Sequence, residues 1–132
     1  MFTHRVLVDV LVMIKVIIAG GRDFNDYNLL KSKCDFYLSK INEEIEIICG
    51  GAKGADSLGE RYAKEKGLSI RYFYADWELY GKSAGYRRNV EMGNYADALI
   101  AFWDGKSEGT KHMIDYALIK NINIRVVKYN YL

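Results

Sequence analysis

Histidine, cysteine and proline are scarce in this chain of 132 residues, which holds two histidines, two cysteines and no proline. His4 and His112 lack a cysteine or histidine partner at the interval of a zinc site, so we expect no structural metal. Cys34 and Cys49 lie in apolar segments, and a single pair without a secretory signal is typical of reduced thiols. We therefore expect both in the core of a cytoplasmic protein, with no bound metal or cofactor.

Long apolar runs and a strong excess of one charge are also missing. The first 16 residues are largely apolar but are interrupted by Arg5, Asp9 and Lys15, and no small-residue cleavage site follows them. This stretch is therefore too short to span a membrane and a poor signal peptide. We interpret residues 1–12 as an N-terminal appendage (an extra strand, an oligomer contact or a frayed tail) and residues 13–132 as one domain. A net charge of +2, spread along the chain, gives no support to a nucleic-acid partner.

What the chain does have is a regular alternation of short apolar segments and helical patterns. Strands are predicted at 14–19, 45–49, 68–74, 98–102 and 124–127. The first helix is expected to begin at Asn25 or Asp26 and to end at Asn42, and the third to begin at Ser83. The last helix is expected to turn Ile114, Ala117 and Leu118 inward. This alternation predicts an α/β fold, a Rossmann-like three-layer sandwich with a mostly parallel five-stranded sheet.

Glycines lie in the turns that follow three of the predicted strands. Gly20-Gly21 follows the first strand, Gly50-Gly51 with Gly54 the second, and Gly105 the fourth. One such turn is explained equally well by backbone geometry or by an anion held on backbone N–H groups. Ligands of parallel sheets bind beyond the carboxyl ends of the strands, so three glycine turns at that edge favour a binding site.

Two common nucleotide signatures are absent from these turns. Gly81-Lys82-Ser83 and Gly105-Lys106-Ser107 lack the leading glycine of a P-loop, and Gly20-Gly21 lacks the spacing of a dinucleotide fingerprint. The sequence therefore supports neither a P-loop NTPase nor a standard NAD-dependent dehydrogenase.

Charged residues in the glycine turns have two interpretations each. Arg22 could bind a phosphate or pair with Asp23 or Asp26. Lys53 could contact phosphate or be an ordinary surface lysine. Asp56 could accept from a sugar hydroxyl or complement the dipole of the helix that begins there.

The third and fourth helices add further candidates. Arg87 and Arg88 point about 100° apart, so at most one of them faces the sheet edge. The segment from Gly105 to Thr110, with Ser107, suits a phosphate at a helix N-terminus. Trp77 or Trp103 could stack on a base or belong to the margin of the core.

Together these residues resemble the YspA-related SLOG proteins, a branch of the superfamily named after the Smf/DprA and LOG proteins. The resemblance covers about residues 13–128. Its motifs are 17–24 (IIAGGRDF), 50–56 (GGAKGAD), 75–77 (ADW), 81–82 (GK), 88–89 (RN) with Met92, and 104–105 (DG) with Ser107, Gly109 and Thr110.

The resemblance implies a Rossmann-like domain that binds nucleotides or molecules derived from them. Members include sensors of nucleotide second messengers, some derived from ADP-ribose, in prokaryotic immunity, and enzymes such as the LOG proteins, which cleave nucleotide N-glycosidic bonds. Those enzymes use a helix arginine and a glutamate three residues after a Gly-Thr pair. Here Gly109-Thr110 matches the pair, Arg87 or Arg88 could supply the arginine, and the glutamate position is Met113.

We therefore expect a protein that binds a nucleotide-derived signalling molecule, such as an ADP-ribose derivative or a cyclic nucleotide, without turning it over, as a sensor or a sequestering protein. The alternative is an N-glycosidase or phosphoribohydrolase with Asp23, Asp56 or Asp104 as its acid, and a third is a scaffold with a vestigial pocket. Relatives pair through helices, which implies a homodimer or homotetramer. The expected ligand-binding residues are Gly20, Gly21, Arg22, Asp23, Phe24, Gly50, Gly51, Ala52, Lys53, Gly54, Asp56, Trp77, Arg87, Arg88, Asn89, Asp104, Gly105, Ser107, Gly109 and Thr110.

Overall fold

A computed structural model describes residues 12–130, so all of the predicted appendage except Val12 lies outside the described residues. Five parallel strands form one sheet in the order β3-β2-β1-β4-β5. The strands are β1 Met13–Gly20, β2 Glu44–Cys49, β3 Ser69–Tyr72, β4 Ala98–Trp103 and β5 Asn123–Lys128. The helices are α1 Tyr27–Leu38, α2 Ala55–Lys66, α3 Trp77–Tyr80, α4 Ala84–Tyr95 and α5 Glu108–Ile119, with a 3₁₀ turn at Gly81–Ser83. The predicted α/β, Rossmann-like fold is confirmed, and every strand pair is parallel.

Strand β1 lies at the centre of the sheet and supplies both hydrophobic layers. Val16 and Ile18 pack on the side of α1 and α2, whereas Ile17 and Ala19 pack on the side of α4 and α5. Successive side chains of a strand point to opposite faces, so a continuous apolar run is what a doubly covered strand requires. Cys34 joins the first layer, and both cysteines are buried free thiols, as expected.

Helix α1 is shorter than predicted. Asp26 caps its start, because its Oδ1 accepts a hydrogen bond from the Leu29 N–H at 3.0 Å. The helix ends at Leu38, where Ser39 donates its N–H to Asp35 and its hydroxyl to the Phe36 carbonyl. These bonds close the last turn, so the predicted end at Asn42 is wrong.

The segment between β3 and α4, predicted as a loop, is helical over α3 and the following 3₁₀ turn. Asp76 starts it, with Oδ1 accepting from the Leu79 N–H at 3.0 Å. Ser83 does not cap α4 as predicted, because its hydroxyl donates to the carbonyl of Tyr80. The short helix places Trp77 above the carboxyl edge of the sheet.

One predicted core residue of α5 points outward. Leu118 is 62% exposed, whereas Met113 and Ala117 are buried against the sheet. The latter two are four residues apart and share a face, and Leu118 lies one residue further round the helix. No helix in the described range is long and apolar enough to cross a membrane.

Candidate functional site

A central cavity of about 460 Å³ opens at the carboxyl ends of β1 and β4. The strand order reverses its direction between these two strands, which is where ligands of such sheets bind. The turns after β1, β2 and β4 form its floor, and α3, α4 and the start of α5 form its walls. Its lining residues are Ala19, Gly20, Gly21, Arg22, Asp23, Ala52, Asp56, Trp77, Lys82, Gly85, Tyr86, Arg88, Asn89, Met92, Asp104, Ser107, Gly109, Thr110 and Met113.

Close backbone packing explains two of the predicted glycines without a ligand. A Cβ at Gly20 would lie 2.2 Å from the carbonyl oxygen of Phe102 in the neighbouring strand. A Cβ at Gly54 would lie 2.2 Å from the Gly21 oxygen, and Gly54 has a φ of +75° that other residues rarely adopt. The Gly21 oxygen also accepts the N–H of Ala55 at 3.1 Å. The first amide of α2 therefore holds two glycine turns together.

Asp56 is the most deeply buried carboxylate of the cavity, at 5% exposure. Its Oδ2 accepts from the Ala52 N–H at 3.3 Å, which fixes the turn between β2 and α2. Burial raises its pKa to about 6, although the positive charges of Arg88 and Arg22 and the Ala52 hydrogen bond act in the opposite direction. A carboxyl group that is largely desolvated and lines a cavity is typical of a functional site.

Arg88 enters the cavity from α4 and reaches the turn after β2. Its Nη1 donates to the Gly50 carbonyl oxygen at 2.7 Å, and its Nε is buried without a partner among the described residues. Burial lowers the pKa of Arg88 and the nearby charge of Arg22 lowers it further, whereas Asp56 raises it. The site therefore holds two guanidinium groups near each other, an arrangement that an anion would stabilise.

The start of α5 presents backbone N–H groups to the cavity. Asp104 shapes the approach, because its Oδ1 accepts from the N–H groups of Lys106 and Ser107 at 2.8 Å each, and these bonds lower its pKa. Ser107 makes no side-chain cap, and its hydroxyl lies 3.3 Å from that of Thr110. The first N–H groups of a helix have no intrahelical partner, so those of α5 are suited to an anion.

Helices α4 and α5 are tied together beside the start of α5. The Asn89 amide nitrogen donates to the Gly109 carbonyl oxygen at 3.2 Å and lies 3.1 Å from Nδ1 of His112. The ring of Tyr86 rests against that of His112, with centroids 4.5 Å apart. Burial lowers the pKa of His112, which favours the neutral ring that can accept from Asn89.

Other predicted residues lie beside the cavity. A second depression, which we call the outer groove, has a volume of about 730 Å³. It shares a wall with the central cavity and is lined by Arg22, Gly50, Gly51, Ala52, Lys53, Tyr74, Ala75, Trp77 and Arg88.

Four predicted residues line neither depression. Phe24 is buried and stacks on Phe102, with ring centroids 4.9 Å apart. Arg87 points away from the cavity, where its guanidinium lies over the ring of Tyr80. Gly54 is packed against the first glycine turn, and Gly105 lies next to Lys128.

Sequence reasoning missed Lys82, Gly85, Tyr86 and Met92 as lining residues. Helical spacing contains the signal for two of them, because Gly85 and Met92 lie three residues before and four after Arg88 and so share its face. Tyr129 was also missed as a support: its hydroxyl donates to Oδ1 of Asp23 at 2.7 Å. It comes from beyond β5, and nothing local in the sequence connects it with Asp23.

Comparisons with known proteins agree with this fold. The family model described as YspA, cpYpsA-related SLOG family matches residues 14–80. The "Gene 61 protein" of Mycobacterium phage D29 is 35% identical over 106 residues, which cover 76% of this chain and 85% of that protein. The fold is similar to that of DNA processing protein A (DprA) from Streptococcus pneumoniae, with a TM-score of 0.70, 15% identity and 91% of this chain covered. The chain spans about half (52%) of that structure.

Proposed function

The chain belongs to the YspA, cpYpsA-related SLOG family, and from this membership and the geometry of the central cavity we propose that it binds a nucleotide or nucleotide-derived signalling molecule without turning it over. The observation that carries the proposal is that two arginines and an α5 N-terminus without a side-chain cap line the same cavity. An anion between them would be held by N–H groups and by positive charge.

In this proposal a phosphate group lies at the start of α5, near Ser107, Gly109 and Thr110. A sugar hydroxyl donates to Asp56, the buried carboxylate on the opposite wall, and the base lies against Trp77, which is half exposed and lines the cavity. The phosphate is then bound by N–H donors, the sugar by a hydrogen-bond acceptor and the base by an aromatic ring.

The side chain at position 113 supports binding rather than cleavage. By the resemblance described above, the LOG enzymes of the wider superfamily have a glutamate at the matching position, and here a buried methionine lines the cavity instead. Two other carboxylates already serve as hydrogen-bond acceptors in the fold, Asp23 for Tyr129 and Asp104 for Lys106 and Ser107. An oxocarbenium-like transition state needs a carboxylate that is free to face the sugar.

The phage relative favours sequestration over sensing. A protein that binds a signalling molecule lowers the free concentration of that molecule simply by holding it. A phage that carries such a protein would weaken a host response that depends on that signal.

We also propose that the protein forms a homodimer or homotetramer. Leu118 and Ile119, which are adjacent and exposed on α5, are a candidate contact between subunits. Light scattering of the Leu118→Lys variant tests this contact.

The test is calorimetric titration with AMP and ADP-ribose, with mass spectrometry of the recovered ligand. Gly109 lines the cavity, and a Cβ there would meet no atom within 4 Å. A larger side chain at this position can therefore block a ligand without disturbing the packing of the protein. Gly109→Leu should weaken binding by about tenfold or more, which corresponds to about 1.4 kcal/mol. The matched control is Lys111→Leu, an exposed position on the same helix outside the cavity. Equal affinities of all three proteins, or no binding by any, would refute the proposal.

An N-glycoside hydrolase remains the second candidate because of Asp56. A buried carboxyl with a pKa raised to about 6 is suited to general acid catalysis. If this candidate is right, free base accumulates over many turnovers from a nucleoside 5′-monophosphate, and Asp56→Asn abolishes its release. If the first proposal is right, the ligand is recovered intact from both proteins.

Single-stranded DNA should be included as a competitor of AMP in the binding titrations, since the similar DprA structure is that of a DNA processing protein.

A further inference from the structure

The outer groove differs from the central cavity in its charge. Three carboxylates and three cationic side chains line the central cavity. The groove has three cationic side chains, Arg22, Lys53 and Arg88, and no carboxylate among its lining residues. Asp56 in the central cavity balances part of the charge of Arg22 and Arg88, and the positive charge that remains in the groove favours an anion.

The groove also has an aromatic surface. Tyr74 is 68% exposed and Trp77 is 50% exposed, and both line it. Large exposed rings at the edge of a depression are a stacking surface for a planar group. The ring of Tyr74 stacks on that of Tyr72, with the planes 4° apart, so it is held in place without a ligand.

The two depressions adjoin each other. Arg22, Ala52, Trp77 and Arg88 line both of them. A group bound in the central cavity therefore reaches the groove past two guanidinium groups and an indole ring. A ligand that extends along this path passes a phosphate between the arginines and places its next ring against the aromatic residues.

From this arrangement we propose that the preferred ligand is a dinucleotide, with one nucleotide in the central cavity and the second in the outer groove. Its second phosphate lies among Arg22, Lys53 and Arg88, and its second base stacks on Tyr74. This inference rests on the proposed function, because it extends the ligand of the central cavity. Lys53 and Tyr74 are then specificity-determining residues that a mononucleotide does not contact.

The test compares AMP with the linear dinucleotide pApA on matched pairs of variants. Lys53 and Tyr74 line only the groove, whereas Lys82 and Tyr86 line only the central cavity. The wild type should bind pApA at least about tenfold more tightly than AMP, because the second nucleotide binds within one tethered ligand. Lys53→Gln and Tyr74→Ala should remove most of that advantage and change AMP affinity by less than about twofold. Lys82→Gln and Tyr86→Ala should leave the ratio of the two affinities unchanged.

The outcomes separate this inference from the proposed function. Binding of AMP with no gain for pApA overturns the dinucleotide proposal and leaves the nucleotide site standing. A gain for pApA that Lys53→Gln and Tyr74→Ala leave intact also overturns it, because the second nucleotide then lies elsewhere. Absence of binding by both ligands overturns the proposed function, and the dinucleotide proposal with it. Thermal unfolding of each variant identifies any loss of affinity that comes from misfolding.

Discussion

Replacing Asp56 by asparagine should stabilise the empty protein at neutral pH. The carboxyl group is 5% exposed, and burial raises its pKa from 3.8 to about 6. At pH 7.5 the group is ionised in both the folded and the unfolded chain, and its charge is less well solvated in the folded one. Asparagine has nearly the same shape, and its side-chain oxygen can still accept from the Ala52 N–H.

The size of the effect follows from the pKa difference. A shift from 3.8 to about 6 corresponds to about 3 kcal/mol, at about 1.4 kcal/mol per pH unit. The raised pKa means that the folded chain binds more protons than the unfolded chain between these values. Below pH 3.8 the carboxyl is neutral, and its burial does not oppose folding. The free energy of unfolding then falls as the pH rises through about 6.

Urea denaturation at two pH values measures this directly. The free energy of unfolding of Asp56→Asn should exceed that of the wild type by about 3 kcal/mol at pH 7.5 and by only about 1 kcal/mol at pH 4.5. With an unfolding entropy of about 2.1 cal/mol/K per residue, the gain at pH 7.5 corresponds to a Tm increase of roughly 10 °C. The m-value should not change, since the surface exposed on unfolding is the same.

The control is Asp115→Asn, an exposed aspartate on α5 that pairs with Lys111. Its effect should stay within about 0.5 kcal/mol at both pH values, because exposed ion pairs contribute little. The reasoning is refuted if Asp56→Asn destabilises the protein at pH 7.5, or if its effect is the same at both pH values. Either result would mean that the two arginines stabilise the carboxylate more than burial opposes it.

Four further substitutions test the packing around the site. Gly54→Ala should destabilise the fold by about 3 kcal/mol or more, since its Cβ would lie 2.2 Å from a carbonyl oxygen. The control Gly109→Ala should be within about 1 kcal/mol of the wild type, because its Cβ would meet no atom within 4 Å. Thermal unfolding compares the two variants. Tyr129→Phe should cost about 1 kcal/mol by removing the hydrogen bond to Asp23, measured by urea denaturation. His112 has a lowered pKa, so stability should fall as the pH drops below about 6.5, and His112→Gln in the Asp56→Asn background should flatten that dependence.

Strand positions and topology class were accessible from the sequence because both follow from short-range patterns. The continuous apolar run in β1 could only be a strand covered on both faces, and it is. Helix ends were less accessible, because they depend on single hydrogen bonds. Ser39 ends α1 and Asp76 starts α3, and serine and aspartate form such bonds at many places where no helix ends or begins.

The site could be predicted only in part, for a physical reason. Residues in the turn after a strand or in the first turn of the next helix, such as Arg22 and Asp56, are placed by the topology, so sequence position identified them. Side chains that arrive from a helix or from beyond the last strand depend on rotation and tertiary packing. The structure was therefore needed to choose Arg88 over Arg87 and to connect Tyr129 with Asp23.

The opposing charges of the empty site restrict what it can hold. Arg22 and Arg88 need an anion, but an anion placed against Asp56 would be repelled by the buried carboxylate. Inorganic phosphate would satisfy the arginines but would give Asp56 no donor besides the Ala52 N–H. A ligand that carries phosphate on one side and a hydroxyl donor on the other would satisfy both, as the proposed nucleotide does. It follows that Asp56→Asn, which is more stable when empty, should gain affinity for inorganic phosphate while it loses affinity for AMP.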